Sequence, residues 1–71
     1  MYSIKIINLD ESSIEDTFTV EELEDGIITF WNNIIQYEME SDLVISINTI
    51  EKSRIIIEAS GFQYKAILSK D

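Results

Sequence analysis

Residues 18–40, FTVEELEDGIITFWNNIIQYEME, decide the predicted fold of this 71-residue chain. From Val20 to about Glu40 the apolar side chains recur at about 100° per residue, which is typical of an amphipathic α-helix. The apolar arc covers about half of the helix, more than the ~100° stripe that packing on one sheet requires. The sequence therefore predicts one long helix with surplus apolar surface, suited to a buried flank or to self-association.

The predicted helix start depends on two local motifs. Thr19 and Glu22 fit a capping box, and Phe18 and Leu23 fit the hydrophobic staple that accompanies it. A competing interpretation makes Asp25-Gly26 a hairpin turn. The cap, the staple and the helical spacing together favour the helix.

Strands are predicted on both sides of the helix from alternation of polar and apolar residues. They span residues 2–9, 43–50, 54–60 and 62–69, with a short extra strand considered at 14–18. The predicted fold class is α+β: a two-layer sandwich, β-α-β-β-β, in which one long helix packs on an antiparallel-rich sheet. We expect a single domain spanning residues 1–71.

The register of the last two hairpins follows from keeping apolar residues on one face, since a one-residue slip turns every side chain over. A three-residue loop pairs Ile47 with Ile57, and a two-residue turn at 60–61 pairs Ala59 with Phe62. The predicted core face of the sheet then consists of Leu43, Ile45, Ile47, Ile55, Ile57, Ala59, Phe62, Tyr64, Ala66 and Leu68.

Charge is strongly segregated along the chain. Between Lys5 and Lys52 lie twelve carboxylates and no basic residue, and the formal net charge is −9. A surface of one sign repels anions and attracts basic partners. The carboxylates predicted to bind a partner, and expected to gather at one end of the molecule, are Asp10, Glu11, Glu15, Asp16, Glu21, Glu22 and Asp25. The alternative is a solvated face in which Glu21 and Glu22 complement a helix dipole.

Several chemistries are excluded or disfavoured by composition. The sequence has no cysteine and no histidine, so it lacks disulfides, thiolate metal ligands and the commonest general base. Asp10, Ser12, Asp16 and Glu21 only loosely match a calcium loop, because Ile14 occupies a ligand position. We therefore predict no enzyme activity, no catalytic residues, no metal site and no cofactor.

Location and direct ligands are also constrained by the sequence. The chain shows neither a signal peptide nor an apolar run of the ~20 residues that span a bilayer, so a cytoplasmic location is expected. Only five residues are Lys or Arg, and nucleic-acid affinity comes largely from such residues contacting phosphates. Nucleic acids and anionic membranes are therefore not expected as direct partners.

The predicted function is that of a small acidic binding protein that blocks or sequesters a basic, nucleic-acid-handling protein by imitating nucleic acid. Inhibitors and immunity proteins that act on nucleases, including phage-encoded anti-defence proteins, are the analogous cases on grounds of size and charge.

Two other functions are weighed against this one. The chain could be an accessory or assembly subunit that docks through the apolar helix arc or through a second patch comprising Ile50, Arg54, Ile56 and Ile67. A small-molecule-binding module would need a pocket formed by a dimer. A homodimer is itself expected from the surplus apolar helix surface, with Tyr37, Met39 or Ile28 at the contact.

Overall fold

The computed structural model describes residues 1–49 and 53–71 and packs one helix on a five-stranded antiparallel sheet. The predicted α+β sandwich is confirmed, with the extra strand before the helix. The elements are β1 (Tyr2–Asn8), β2 (Ser13–Val20), α1 (Leu23–Gln36), a 3₁₀ turn (Glu40–Asp42), β3 (Val44–Ile47), β4 (Ile55–Ser60) and β5 (Tyr64–Lys70). The strand order is β2-β1-β5-β4-β3.

The core forms where α1 crosses the centre of the sheet. Alternating residues of β1 and β5 face the helix, and Ile4, Ile6 and Leu68 are fully buried among them. Phe30 and Ile34 fill the space from the helix side. Each such side chain contributes about 1.5–3 kcal/mol on burial, so these few residues dominate the stability of a chain this short.

Gly26 allows the helix to approach the sheet closely. A Cβ atom at this position would lie 3.1 Å from Leu68 Cδ1 and 3.4 Å from Val20 Cγ2. The glycine that suggested a hairpin turn is therefore a helical residue, at which a larger side chain would have to displace Leu68 slightly.

The predicted capping box is wrong. Thr19 belongs to β2 and pairs with Ser3 of β1, and α1 begins at Leu23 after Glu22, whose side chain makes no capping hydrogen bond. The pairing of β2 with β1 continues as far as Val20. Extending the strand satisfies backbone groups along the whole ladder, which outweighs a single side-chain cap of about 1 kcal/mol.

The helix ends in a Schellman motif, four residues before the predicted end at Glu40. The Met39 N–H donates to the Ile34 carbonyl at 3.0 Å, and the Glu38 N–H donates to the Ile35 carbonyl at 3.1 Å. Glu38 adopts a left-handed conformation with φ of 53°. Ile34 and Met39 are both buried, as is usual for the apolar residues flanking this motif.

Of the two predicted hairpin registers, one is confirmed and the other is wrong. Ile47 pairs with Ile57 as predicted, although most of the intervening loop lies outside the described residues. The two-residue turn at 60–61 is wrong, because Ser60 pairs with Lys65. The shift is by an even number of residues, so the inward face is unchanged, but Phe62 moves into the turn and is 89% exposed.

The predicted core face is only half covered. Of its predicted residues, Ile57, Ala59, Ala66 and Leu68 are buried, Leu43 and Tyr64 are half-buried, and Ile45 and Ile47 are exposed. Ile55 is also exposed, but a bulge in β4 pairs it with Ser69 and takes it off the face of Ile57. The helix packs on β1, β2 and β5. A helix about 10 Å wide cannot cover five strands spaced about 4.8 Å apart, so β3 stays bare.

Replacement of Glu38 by glycine should stabilise the fold. An L-residue pays about 1–2 kcal/mol in the left-handed region, partly offset because glycine is more flexible in the unfolded chain. We expect Glu38→Gly to raise the free energy of unfolding by about 0.5–1 kcal/mol in urea titrations. Glu38→Gln, which removes only the charge, serves as the control, and an equal gain in that variant would contradict the backbone explanation.

Candidate functional site

The seven carboxylates predicted to bind a partner lie in two groups at opposite ends of the sheet. The register sets Asn8 opposite Ser13 at one end of β2 and Tyr2 opposite Val20 at the other. The expectation that all seven gather at one end is therefore wrong, because the part of β2 that follows Asp16, roughly 13 Å of strand, lies between the groups. The first group is Asp10, Glu11, Glu15 and Asp16, and the second is Glu21, Glu22 and Asp25.

Three chain segments meet at the end that carries the first group. The β1–β2 turn is joined to the β4–β5 turn by a hydrogen bond of 2.8 Å from the Leu9 N–H to the Gln63 carbonyl. Gly61 in the latter turn lies against Met39, just after the helix. The carboxylates at this end come from the β1–β2 hairpin and from the segment after the helix. Here called the acidic end, they are Asp10, Glu11, Glu15, Asp16, Glu38, Glu40 and Asp42.

One buried side chain organises the β1–β2 turn. Asn8 Oδ1 accepts hydrogen bonds from the backbone N–H groups of Asp10, at 3.0 Å, and Glu11, at 3.2 Å. Asn8 Nδ2 donates to Glu15 Oε1 at 3.1 Å. This asparagine thus fixes three carboxylate-bearing residues. Sequence reasoning missed it, although an asparagine that opens a polar turn is a recognisable signal.

A β-bulge places two further carboxylates together. Ile6 pairs with Asp16 and Ile7 pairs with Ile14, so Glu15 is the additional residue on the edge strand. Bulges commonly re-aim side chains at sheet edges. Both Glu15 and Asp16 act electrostatically on Tyr37 at the end of α1.

The pKa of Tyr37 is raised above its ordinary value. Burial of the phenol is the largest cause, and the negative charges of Asp16 and Glu15 and the neighbouring Tyr64 add to it. The rings of Tyr37 and Tyr64 meet edge to face, with centroids 4.8 Å apart. The aromatic rings of Tyr37 and Tyr64 thus lie beside carboxylates of the acidic end.

A small cleft opens between these aromatic rings and the turn that follows the helix. Its volume is about 240 Å³, and its lining includes Tyr37, Tyr64, Glu38, Asp42 and the exposed Phe62. Drug-sized ligands usually occupy pockets of about 300–1,000 Å³. The cleft suits the insertion of one side chain better than the enclosure of a metabolite.

The described basic residues lie away from the acidic end or are already paired. Lys65 makes a salt bridge with Glu58, and both residues lie on the sheet face opposite the helix. Lys70 and Arg54 meet at the other end of the sheet, where the Lys70 N–H donates to the Arg54 carbonyl. Lys5 lies in the middle of β1, opposite Thr17 and Ile67. In residues 1–49 and 53–71, therefore, no Lys or Arg forms a salt bridge with the acidic end.

The second patch predicted at Ile50, Arg54, Ile56 and Ile67 falls partly outside the described residues. Ile56 packs against the core, Ile67 is half-buried, Arg54 is exposed, and Ile50 lies outside the described residues. Of the residues expected at a dimer contact, Met39 is buried, Tyr37 is half-buried and Ile28 is exposed. Sequence reasoning also missed Phe62 as an exposed group, because the wrong turn assigned it to the core face.

Further findings bear on the class of site. Within the described part of the chain, no group of three or more acidic side chains could hold a metal ion. Among the same residues, no helix combines the length and apolar character needed to cross a bilayer. Comparison with known protein families, curated proteins and solved structures gives no match.

The stability of the fold should decrease at high pH through Tyr37. Its pKa is higher in the folded state than the 10.0 of an unperturbed tyrosine, so the unfolded chain loses this proton first. The contribution of Tyr37 is fully present below pH 10 and is lost as pH rises through its folded pKa. We expect Tyr37→Phe to remove this part of the alkaline loss in urea titrations.

An absorbance titration of tyrosinate formation checks the electrostatic cause. Asp16→Asn should lower the pKa of Tyr37 without restoring the ordinary value, because burial is the larger cause. The difference between the parent and the Tyr37→Phe variant isolates this group from the other two tyrosines. An unchanged Tyr37 pKa in Asp16→Asn would contradict the arrangement of the bulge.

Proposed function

We propose that this chain is a non-enzymatic binding protein whose acidic end docks on a basic, nucleic-acid-handling protein and blocks or sequesters it. The observation that carries the proposal is a cleft lined by Glu38, Asp42 and the exposed Phe62. Glu15 and Asp16 act electrostatically on Tyr37 in the same lining. Among the described residues, no Lys or Arg forms a salt bridge with the carboxylates of the acidic end.

Such a surface would contribute to binding in two ways, through hydrogen bonds to cations and through long-range attraction. Carboxylates accept short, charge-assisted hydrogen bonds from Arg and Lys side chains, as phosphates do. Their summed field accelerates encounter with a positively charged surface and makes association depend on salt. A partner that binds nucleic acid through phosphate contacts presents the matching arrangement of cations.

Phe62 adds an apolar contact to the charged surface. Large apolar side chains that protrude from a surface are typical anchors of protein interfaces, and an aromatic face also attracts Arg and Lys. Phe62 is 89% exposed beside the carboxylates of the cleft. It therefore couples an apolar contact to the electrostatic one, which favours one basic partner over others of similar charge.

The proposal includes no catalytic step and no cofactor. The sequence offers neither histidine nor cysteine, and the carboxylates lie on turns and an edge strand instead of in a desolvated site that would tune their proton affinity. We propose a cytoplasmic protein whose direct partner is neither a nucleic acid nor a membrane. Inhibitor and immunity proteins, including those carried by phages, are the analogous functional class.

An accessory or assembly subunit is the second candidate function. A specific observation favours it: the half of the sheet that α1 does not cover exposes Ile45 and Ile47, and the helix itself exposes Trp31 and Ile35. Docking through this apolar surface would depend little on salt, whereas docking through the acidic end would depend on it strongly.

A matched pair of charge reversals tests the acidic end. One variant replaces Asp10, Glu11 and Asp16 by lysine. Its control replaces Glu21, Glu22 and Asp25, beyond the other end of β2, by lysine as well. Both change the net charge equally at exposed positions. Tagged parent and variants are used to capture proteins from host lysate, and affinity for the captured basic protein is then measured across salt concentrations.

We expect the acidic-end variant to bind at least about a hundredfold more weakly, since close interfacial charge pairs are worth several kcal/mol. The control should lose much less. Duplex DNA should displace the parent protein from its partner yet show no gel shift with the parent alone. Equal weakening by both variants would contradict a localised site, and salt-independent capture would favour the assembly subunit.

A further inference from the structure

The two edges of the sheet differ in how they are protected. The β2 edge has a bulge and two carboxylates, Glu15 and Asp16, which are common devices against pairing with another strand. The β3 edge, Val44–Ile47, has no charged residue and no proline, and its register with β4 is unbroken. Every residue of β3 is exposed. One edge is thus closed to a further strand and the other is open.

The backbone direction of β3 determines which groups are open. The Asn48 N–H donates to the Ile56 carbonyl at 2.9 Å, in line with the register of β3 and β4. Hydrogen-bonded positions alternate along an antiparallel ladder, so Ser46 also directs its backbone groups towards β4. Ile45 and Ile47 therefore direct theirs to the open edge.

We propose that the β3 edge is a homodimer interface in which β3 of a second copy pairs antiparallel about a two-fold axis through Ser46. This register sets Ile45 opposite Ile47 of the second copy, and both residues have outward-directed backbone groups. It also brings their side chains into contact on the helix face of the joined sheet, where Ile45 is 41% and Ile47 is 69% exposed.

The charges flanking β3 are complementary under the same rotation. Glu40 and Asp42 come just before β3, and the exposed Arg54 comes just before β4, at the other end of the β3–β4 hairpin. Antiparallel pairing brings the start of β3 in one copy to the hairpin end of the other. Each copy thus offers carboxylates to the Arg54 region of its partner, whose guanidinium forms no salt bridge among the described residues.

The same rotation keeps like charges apart. A two-fold axis perpendicular to the sheet reverses the strand direction, so the two acidic ends lie at opposite ends of the joined sheet. Exposed charges separated by more than about 8 Å are largely screened at physiological salt. The short β3 strand limits the buried area, which fits a weak dimer that depends on concentration.

A matched pair of lysine substitutions tests the interface. Ile47→Lys places a cation on the β3 edge, and Ile14→Lys does the same on β2, where Ile14 is 60% exposed. By sedimentation equilibrium, the parent should dimerise, Ile47→Lys should raise the dimer Kd at least about tenfold, and Ile14→Lys should leave it unchanged. Circular dichroism confirms that both variants are folded.

A disulfide tests the register directly, since the chain has no native cysteine. In the proposed register, Ser46 lies opposite Ser46 of the second copy at a non-hydrogen-bonded position. The Cα atoms of such a pair are about 4.5 Å apart, which is within disulfide range. Ser46→Cys should form a dimer linked by a disulfide on mild oxidation. Thr19→Cys on the β2 edge is the control and should remain unlinked under the same conditions.

Several results would overturn the proposal. A parent protein that stays monomeric at high micromolar concentration would do so, as would equal linking of the two cysteine variants. A dimer that survives Ile47→Lys but is disrupted by Ile35→Lys would show that the copies meet through their helices instead. Binding of a basic partner at the acidic end can be measured separately in the Ile47→Lys variant, so the two proposals can fail independently.

Discussion

A single helix has to cover a sheet that is wider than itself, and the arrangement of the molecule depends on this constraint. β2 and β3 lie at opposite edges of the sheet and run parallel to each other, and α1 connects them. The two terminal strands, β1 and β5, pair with each other near the middle, beneath the helix. Burial is therefore concentrated around Ile4, Ile6 and Leu68, and β3 at the edge of the sheet remains outside the cover of α1.

The two-residue period of the strands determines which parts of this fold could be predicted from the sequence. The pairing of Ile47 with Ile57 was predictable because a slip of one residue would have exposed a whole apolar face. The turn at 60–61 was wrong by an even number of residues, an error that leaves Ala66 and Leu68 on the inward side. Period-two patterns thus determine faces more reliably than they determine turns.

Local helix signals failed for a different reason. Thr19 and its neighbours form a good capping motif in isolation, but β1 supplies a partner for each residue from Asp16 to Val20. A ladder formed with a strand distant in sequence is invisible to a local pattern. The helix end was likewise placed too late, because neither the left-handed conformation of Glu38 nor the burial of Met39 after it leaves a local signal in the sequence.

The acidity of the candidate site was predictable, but its membership was not. Composition indicates an anionic surface, whereas the bulge at Glu15 and the packing of the 61–64 turn decide which carboxylates share it. Glu21 and Glu22 moved to the far end because residues 13–20 form a strand instead of a loop. Glu38, which the sequence placed within the helix, joins the site because the helix already ends at Gln36.

The position of the carboxylates has an energetic consequence for binding. They lie on turns and on an edge strand, where water solvates them, so folding does not require their desolvation. Their mutual repulsion still opposes the compact state. The free energy of unfolding of a chain of 71 residues is small, so this repulsion matters. Asn8 holds three carboxylate-bearing residues in place through its buried amide. A basic partner would gain twice from this arrangement, because it meets charges that are already positioned and relieves the repulsion between them.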